Sequence, residues 1–67
     1  MLGELCTEYS RKYYYDGPNK EFRTQNEAQR HAEWKRNDMD DARGDSVVKS
    51  EIIYGKNWYQ VKITYRK

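Results

Sequence analysis

The sequence predicts a small α+β domain, a three-stranded antiparallel sheet in strand-helix-strand-strand order with one helix packed on one face. Three observations support this: a two-residue hydrophobic period in residues 47–67, a capped helical segment before it, and a tyrosine-rich alternating stretch near the N-terminus. Of the 67 residues, 36% are hydrophobic and 36% are charged. We therefore expect a single domain, 1–67, with a small and largely aromatic core.

The strongest signal is a hairpin at the end of the chain. Its apolar positions are Val48, Ile52 and Tyr54 in one segment, and Tyr59, Val61, Ile63 and Tyr65 in the next. The register that sorts them onto one face pairs Tyr54 with Tyr59, Ile52 with Val61, Ser50 with Ile63, Val48 with Tyr65 and Glu51 with Lys62. The predicted turn is Lys56-Asn57, where Gly55 and Asn57 would supply the positive φ of a tight hairpin.

The first strand is predicted within Thr7 to Tyr15, where Tyr9, Tyr13 and Tyr15 alternate with other residues and Arg11 interrupts the pattern. A turn at residues 16–19 follows, and residues 21–23 are expected to form a brief returning strand. Leu2 and Leu5 either dock on the sheet or fray.

A helix is predicted to open at Thr24 with a capping box. The Thr24 hydroxyl would accept from the Glu27 amide, and the Glu27 carboxylate would reach back to the Thr24 amide. The helix should run to residue 42 or 43, with Gly44 as a left-handed stop. Its expected buried stripe is Ala28, Ala32, Met39 and Ala42, with His31 and Lys35 alongside and Trp34 on an outward flank. The last strand is expected to be central, antiparallel to both neighbours.

No catalytic or cofactor motif is visible, so we expect neither an enzyme nor a bound cofactor. His31 and Cys6 are the single residues of their types and lie on separate elements, whereas structural zinc takes four ligands. One cysteine and no long apolar run predict a cytoplasmic protein without a membrane segment. The net charge is +2, which is lower than the strongly basic charge of many nucleic-acid-binding domains.

An acidic ridge, Asp38, Asp40 and Asp41, is predicted at the helix C-terminal end, where the helix dipole disfavours negative charge. It would imitate nucleic-acid phosphates in a basic groove of a partner, or bind a divalent cation through paired carboxylates. The alternative is a solvated helix end that keeps a small protein soluble.

The outward face of the hairpin combines cations with tryptophan. Its candidate nucleic-acid contacts are Lys49, Lys56, Trp58, Lys62 and Arg66. Alternatively, Trp58 folds over its own turn. Tyr14, which points away from Tyr13 and Tyr15, would join Trp58 in an exposed aromatic patch or cover the back of the sheet.

The architecture, with Thr24 to Glu27 opening the helix and Tyr54 to Tyr59 closing the hairpin, resembles small phage-encoded anti-CRISPR inhibitors of strand-helix-strand-strand form. The stretch from Asp16-Gly17 through Phe22 and Thr24 to Ala28 is also similar to arm-type DNA-binding domains of phage integrases. Those domains usually place the helix after a complete three-stranded sheet, whereas here two strands follow it.

Two functions are expected from these features. The first is a non-enzymatic inhibitor that occludes a larger protein or nucleoprotein complex. Its predicted partner-binding residues are Tyr14, Trp34, Asp38, Asp40, Asp41 and Trp58, and the resemblance implies a CRISPR effector as the target. The second is direct nucleic-acid binding by the sheet face. The chain is expected to be a monomer, or a homodimer joined at a sheet edge.

Overall fold

The structure is a computed structural model that describes residues 3–67, so the expectation for Leu2 falls outside the described residues. It confirms the α+β class, with one long helix on an antiparallel sheet. The elements are β1 (Leu5–Tyr9), β2 (Tyr13–Tyr14), α1 (Gln25–Arg43), a 3-10 turn (Gly44–Ser46), β3 (Val47–Tyr54) and β4 (Trp58–Arg66). Within the described part of the chain, no helix is long and apolar enough to cross a membrane.

β4 is the central strand, as predicted. β3 pairs antiparallel with one side of β4, and β1 and β2 both pair antiparallel with the other. The predicted first strand is thus split in two, and residues 3–67 form a sheet of four strands where three were expected. Ser10 bridges the split: its amide donates to the Val61 carbonyl oxygen at 2.9 Å, and its Oγ accepts from the Val61 amide at 2.9 Å. β4 therefore keeps its hydrogen bonds across the break.

The returning strand expected at residues 21–23 does not form. Glu21 holds the adjacent edge in another way. Its amide donates to the Tyr14 carbonyl oxygen at 2.7 Å, and its carboxylate accepts from the Tyr14 amide at 3.1 Å and pairs with Arg11. The backbone amide and the side chain of Glu21 thus satisfy the strand edge that a further strand would have paired.

The hairpin register is confirmed for Tyr54, Ile52 and Ser50, which pair with Tyr59, Val61 and Ile63. The last predicted pair is wrong, because a bulge between Val47 and Lys49 places Val47 opposite Tyr65. Val48 is the extra residue of the bulge, and 52% of it is exposed.

The hairpin turn does not use positive φ. Within residues 3–67, positive φ occurs only at Gly17 and Gly44, so the expectation for Gly55 and Asn57 is wrong. Gly55 serves a steric purpose: a Cβ at this position would overlap the indole ring of Trp58. The Gly55 amide also donates to the Trp58 carbonyl oxygen at 2.8 Å, which closes the turn.

The helix begins and ends where the sequence predicts. Thr24 Oγ1 accepts from the Glu27 amide at 3.1 Å, but the Glu27 carboxylate accepts from the Arg23 amide at 3.3 Å, so only half of the capping box forms. Gly44 ends the helix with a φ of 63° and a ψ of −135°. Its φ is positive as expected, but this ψ lies outside the left-handed helical region.

The core lies between α1 and the face of the sheet that carries Tyr59, Val61 and Ile63, each of which is fully buried. Ala28, Ala32 and Met39 are the buried residues of the helix, as predicted. Ala42 is exposed, which corrects the expected stripe. At that end Arg43 turns to the sheet instead: its guanidinium lies 4.0 Å from the centre of the Tyr65 ring and pairs with Glu8.

Candidate functional site

The helix leaves one face of the sheet uncovered. Along β4, residues alternate between the two faces, so the neighbours of Tyr59, Val61 and Ile63 point away from α1. The strand register places side chains of the other strands beside them. This helix-free face comprises Leu5, Thr7 and Tyr9 of β1, Tyr14 of β2, Lys49, Glu51 and Ile53 of β3, and Trp58, Gln60, Lys62, Thr64 and Arg66 of β4.

The charge of the helix-free face is positive. Among the strand residues that the structure describes, this face carries three cations, Lys49, Lys62 and Arg66, and one carboxylate, Glu51. Glu51 lies between the two lysines, 3.6 Å from Lys62 Nζ and 4.0 Å from Lys49 Nζ. Such exposed ion pairs are weak, so a ligand phosphate can compete for these lysines. Three cations against one carboxylate leave two positive formal charges.

Trp58 is half-buried and folded over its own turn, which is the second of the two sequence-based interpretations. Its indole ring lies against Gly55, and Lys12 Nζ lies 4.4 Å from the centre of the ring. Tyr14 pairs with Trp58 across the strands and is also half-buried. Lys56 is exposed in the neighbouring turn. Tyr14 and Trp58 are therefore neighbours, but the pair is half-buried and does not form the exposed patch that was expected. The indole of Trp58 already contacts Gly55 and Lys12.

Tyr9 is an exposed aromatic residue that the sequence did not single out as a site. It lies opposite Lys62, and 54% of its surface is accessible. In an unbroken strand, Tyr9 and Tyr13 would share a face because they are four residues apart. The split between β1 and β2 puts them on opposite faces: Tyr13 stacks on Tyr59 in the core, and Tyr9 faces outward. The interruption of the alternation at Arg11 was the signal that could have indicated this change.

The remaining predicted partner residues lie on α1, on the other side of the molecule. Trp34 is exposed to 58%, with its ring centre 5.4 Å from that of His31. Asp38 and Asp41 are exposed and Asp40 is half-buried. Asp38 lies 3.9 Å from Lys35 Nζ. The predicted set is thus divided: Tyr14 and Trp58 belong to the sheet, and the others belong to the helix.

His31 lies half-buried beside the helix stripe, as expected, in a cluster of aromatic rings. Its ring centre is 5.1 Å from those of both Tyr13 and Phe22. Its Nδ1 is hydrogen-bonded to the hydroxyl of buried Tyr59. Burial and the nearby Lys35 lower the pKa of His31, and burial raises the pKa of the Tyr59 hydroxyl. The lowered pKa favours an uncharged imidazole, and its hydrogen bond with the hydroxyl of Tyr59 satisfies a buried polar group.

Within residues 3–67, no three acidic, histidine or cysteine side chains lie together in an arrangement that could hold a metal ion. Comparison with protein-family models, with curated proteins and with solved structures gave no match for this chain. We therefore infer the function from the chemistry of two surfaces, which are the helix-free face of the sheet and the outward side of α1.

Proposed function

We propose that this protein is a nucleic-acid-binding module that uses the helix-free face of its sheet. The observation that carries the proposal is the combination, on the helix-free face, of Lys49, Lys62 and Arg66 with an exposed aromatic ring at Tyr9. Phosphates supply the complementary charge, and base faces supply the complementary apolar surface. The proposal is for a binding protein, with no catalytic step.

Charge supports a polyanionic ligand for this face. Its cations are spread along the strands, because Arg66 and Lys62 are four residues apart on β4 and Lys49 pairs with Thr64 between them. At about 3.3 Å per residue, Lys62 and Arg66 are separated by about 13 Å. A ligand with phosphates along an extended backbone can contact all three, whereas a compact anion cannot.

The test is a titration of labelled single-stranded and duplex DNA and RNA at several salt concentrations. For a single strand held by three phosphate contacts, a plot of the logarithm of the association constant against the logarithm of the salt concentration should have a slope of roughly −2. Replacing Lys49, Lys62 and Arg66 by glutamine should abolish most of the affinity and flatten that slope.

A control variant with the same change in net charge carries glutamine at Lys20, Arg23 and Arg30, which are exposed and lie outside the helix-free face. It should bind almost as tightly as the unmodified protein. Equal loss in both triple variants would mean that only net charge matters. No binding to any of the nucleic acids at low salt would refute the proposal.

We propose, as a second candidate, occlusion of a protein or nucleoprotein partner through α1. The observation in its favour is that Trp34 is 58% exposed and lies on the same helix as the acidic ridge. An exposed tryptophan beside carboxylates fits a basic groove on a partner. The resemblance to anti-CRISPR inhibitors makes a CRISPR effector complex the target to test.

For this candidate, the protein would be added to a purified effector complex and binding of target DNA would be measured. Inhibition that is relieved by changing Asp38, Asp40 and Asp41 to asparagine would support a ridge that imitates phosphate. Inhibition that the asparagine variant retains in full would exclude the ridge as the contact.

A further inference from the structure

We infer that the ligand of the helix-free face is single-stranded and that one of its bases stacks on Tyr9; this rests on the proposed nucleic-acid function. Tyr9 is the last residue of β1, and 54% of it is exposed. Among residues 3–67, Tyr9 has no ring stacked on it and no cation over its face, in contrast to Tyr13, Trp58 and Tyr65. Its ring is therefore available for an external aromatic group.

The surroundings of Tyr9 suit a nucleotide. Lys62 is its direct cross-strand partner, so their Cβ atoms are about 5 Å apart. Lys49 lies on the far side of β4, opposite Thr64. Two strand spacings and one same-face step along the strand place it about 12 Å from Tyr9. A base stacked on the tyrosine would thus have a flanking phosphate beside Lys62, and a phosphate further along the strand would come within reach of Lys49. The sheet places a stacking surface beside a charged path, which is how proteins commonly hold single strands.

A duplex does not fit this arrangement as well. In double-stranded DNA or RNA, each base face is already covered by the next base pair, so a tyrosine side chain can stack only at an end or after unstacking. The helix-free face also presents no helix that could enter a major groove, since α1 packs on the opposite side of the sheet. A duplex would therefore contact this face through its phosphates alone, and its affinity would not depend on Tyr9.

The experiment measures fluorescence anisotropy of labelled oligo(dT), oligo(U) and a duplex of equal length, with Tyr9→Ala, Tyr9→Phe and Tyr54→Ala. Tyr54 is a matched control, because it is a strand tyrosine exposed to 49% that lies on the helix side of β3. We expect Tyr9→Ala to weaken single-strand binding by about 5- to 150-fold, the effect of losing one stacked base. Tyr9→Phe should retain the affinity, and Tyr54→Ala should leave it unchanged. Comparing oligo(dT) with oligo(U) distinguishes DNA from RNA as the ligand.

Two outcomes would overturn the inference while leaving the proposed function intact. One is single-strand binding that Tyr9→Ala does not change but that glutamine at Lys49, Lys62 and Arg66 abolishes. Another is tighter binding of the duplex than of either single strand. Absence of binding to all three nucleic acids would instead refute the proposed function, and the inference with it. Circular dichroism of each variant would confirm that the fold is retained.

Discussion

The glycine at position 55 allows a sharp test of how the hairpin turn is built. Gly55 has no positive φ, and at such a position a change to alanine usually stabilises a protein by about 0.4–1 kcal/mol, since it restricts the unfolded chain. The structure predicts the opposite for Gly55→Ala. The new Cβ would overlap Cε2, Nε1 and Cζ2 of the Trp58 indole, so the ring must leave its place.

The expected cost can be worked out from the contacts of the ring. Forcing a methyl group into an occupied site costs about 1–3 kcal/mol. If the indole moves away, its contact with Lys12 Nζ, now 4.4 Å from the ring centre, is lost at about 0.5–1 kcal/mol. Subtracting the gain from the restricted unfolded chain leaves a net destabilisation of about 1–3 kcal/mol. With a urea dependence of about 1 kcal/mol per molar for so small a domain, the unfolding midpoint should fall by roughly 1–3 M.

The assay is urea unfolding followed by far-ultraviolet circular dichroism, arranged as a double-mutant cycle with Trp58→Ala. In the Trp58→Ala background the overlap is absent, and Gly55→Ala should be neutral or slightly stabilising. A higher urea midpoint for Gly55→Ala alone would refute the steric role of Gly55. So would an equal cost in both backgrounds, because the cost would then arise from the backbone and not from the indole.

Three other predictions concern stability. Burial lowers the pKa of His31 from 6.5, so the unfolded chain binds the proton more readily than the folded protein does. The free energy of unfolding should therefore fall as the pH drops below about 6.5. In His31→Gln, the difference in urea midpoint between about pH 7.5 and about pH 5.5 should shrink. Thr24→Ala should cost about 1 kcal/mol because the Glu27 amide loses its acceptor, and Thr24→Ser should retain the cap; an alanine variant as stable as the original would exclude this role. Ala32→Leu should cost about 1–3 kcal/mol because Ala32 is fully buried, whereas Ala42→Leu, at an exposed site, should change stability by less than about 0.5 kcal/mol. Equal thermal unfolding of these two leucine variants would contradict the helix orientation.

Much of the fold was predictable because it depends on short-range patterns. The period of two that pairs Ile52 with Val61, and the capping signal at Thr24, are both properties of neighbouring residues. The bulge at Val48 was not predictable in this way. Alternation alone favours pairing Val48 with Tyr65. Only the hydrogen-bonded pairing of β3 with β4 shows that Val48 is left out and that Val47 lies opposite Tyr65.

The cations of the candidate site were predictable from the sequence, but its exposed aromatic ring, Tyr9, was not. Lys49, Lys62 and Arg66 were expected on the outward face of the hairpin, and the register places them there. The availability of each aromatic ring depends on contacts between residues far apart in sequence. Lys12 reaches Trp58 from another part of the chain, and no local pattern indicates that contact.

Local sequence patterns were enough to define the helix, the terminal hairpin with its register near the turn, and the two faces of the last strand, since periodicity and capping involve only neighbouring residues. The direction of Tyr9, in contrast, depends on the assembled sheet. Ser10 bonds to Val61, about fifty residues away in the chain, and the ladder resumes at Tyr13 with the opposite alternation. That long-range hydrogen bonding turns Tyr13 into the core and leaves Tyr9 on the helix-free face, because a strand's alternation restarts wherever its pairing is interrupted.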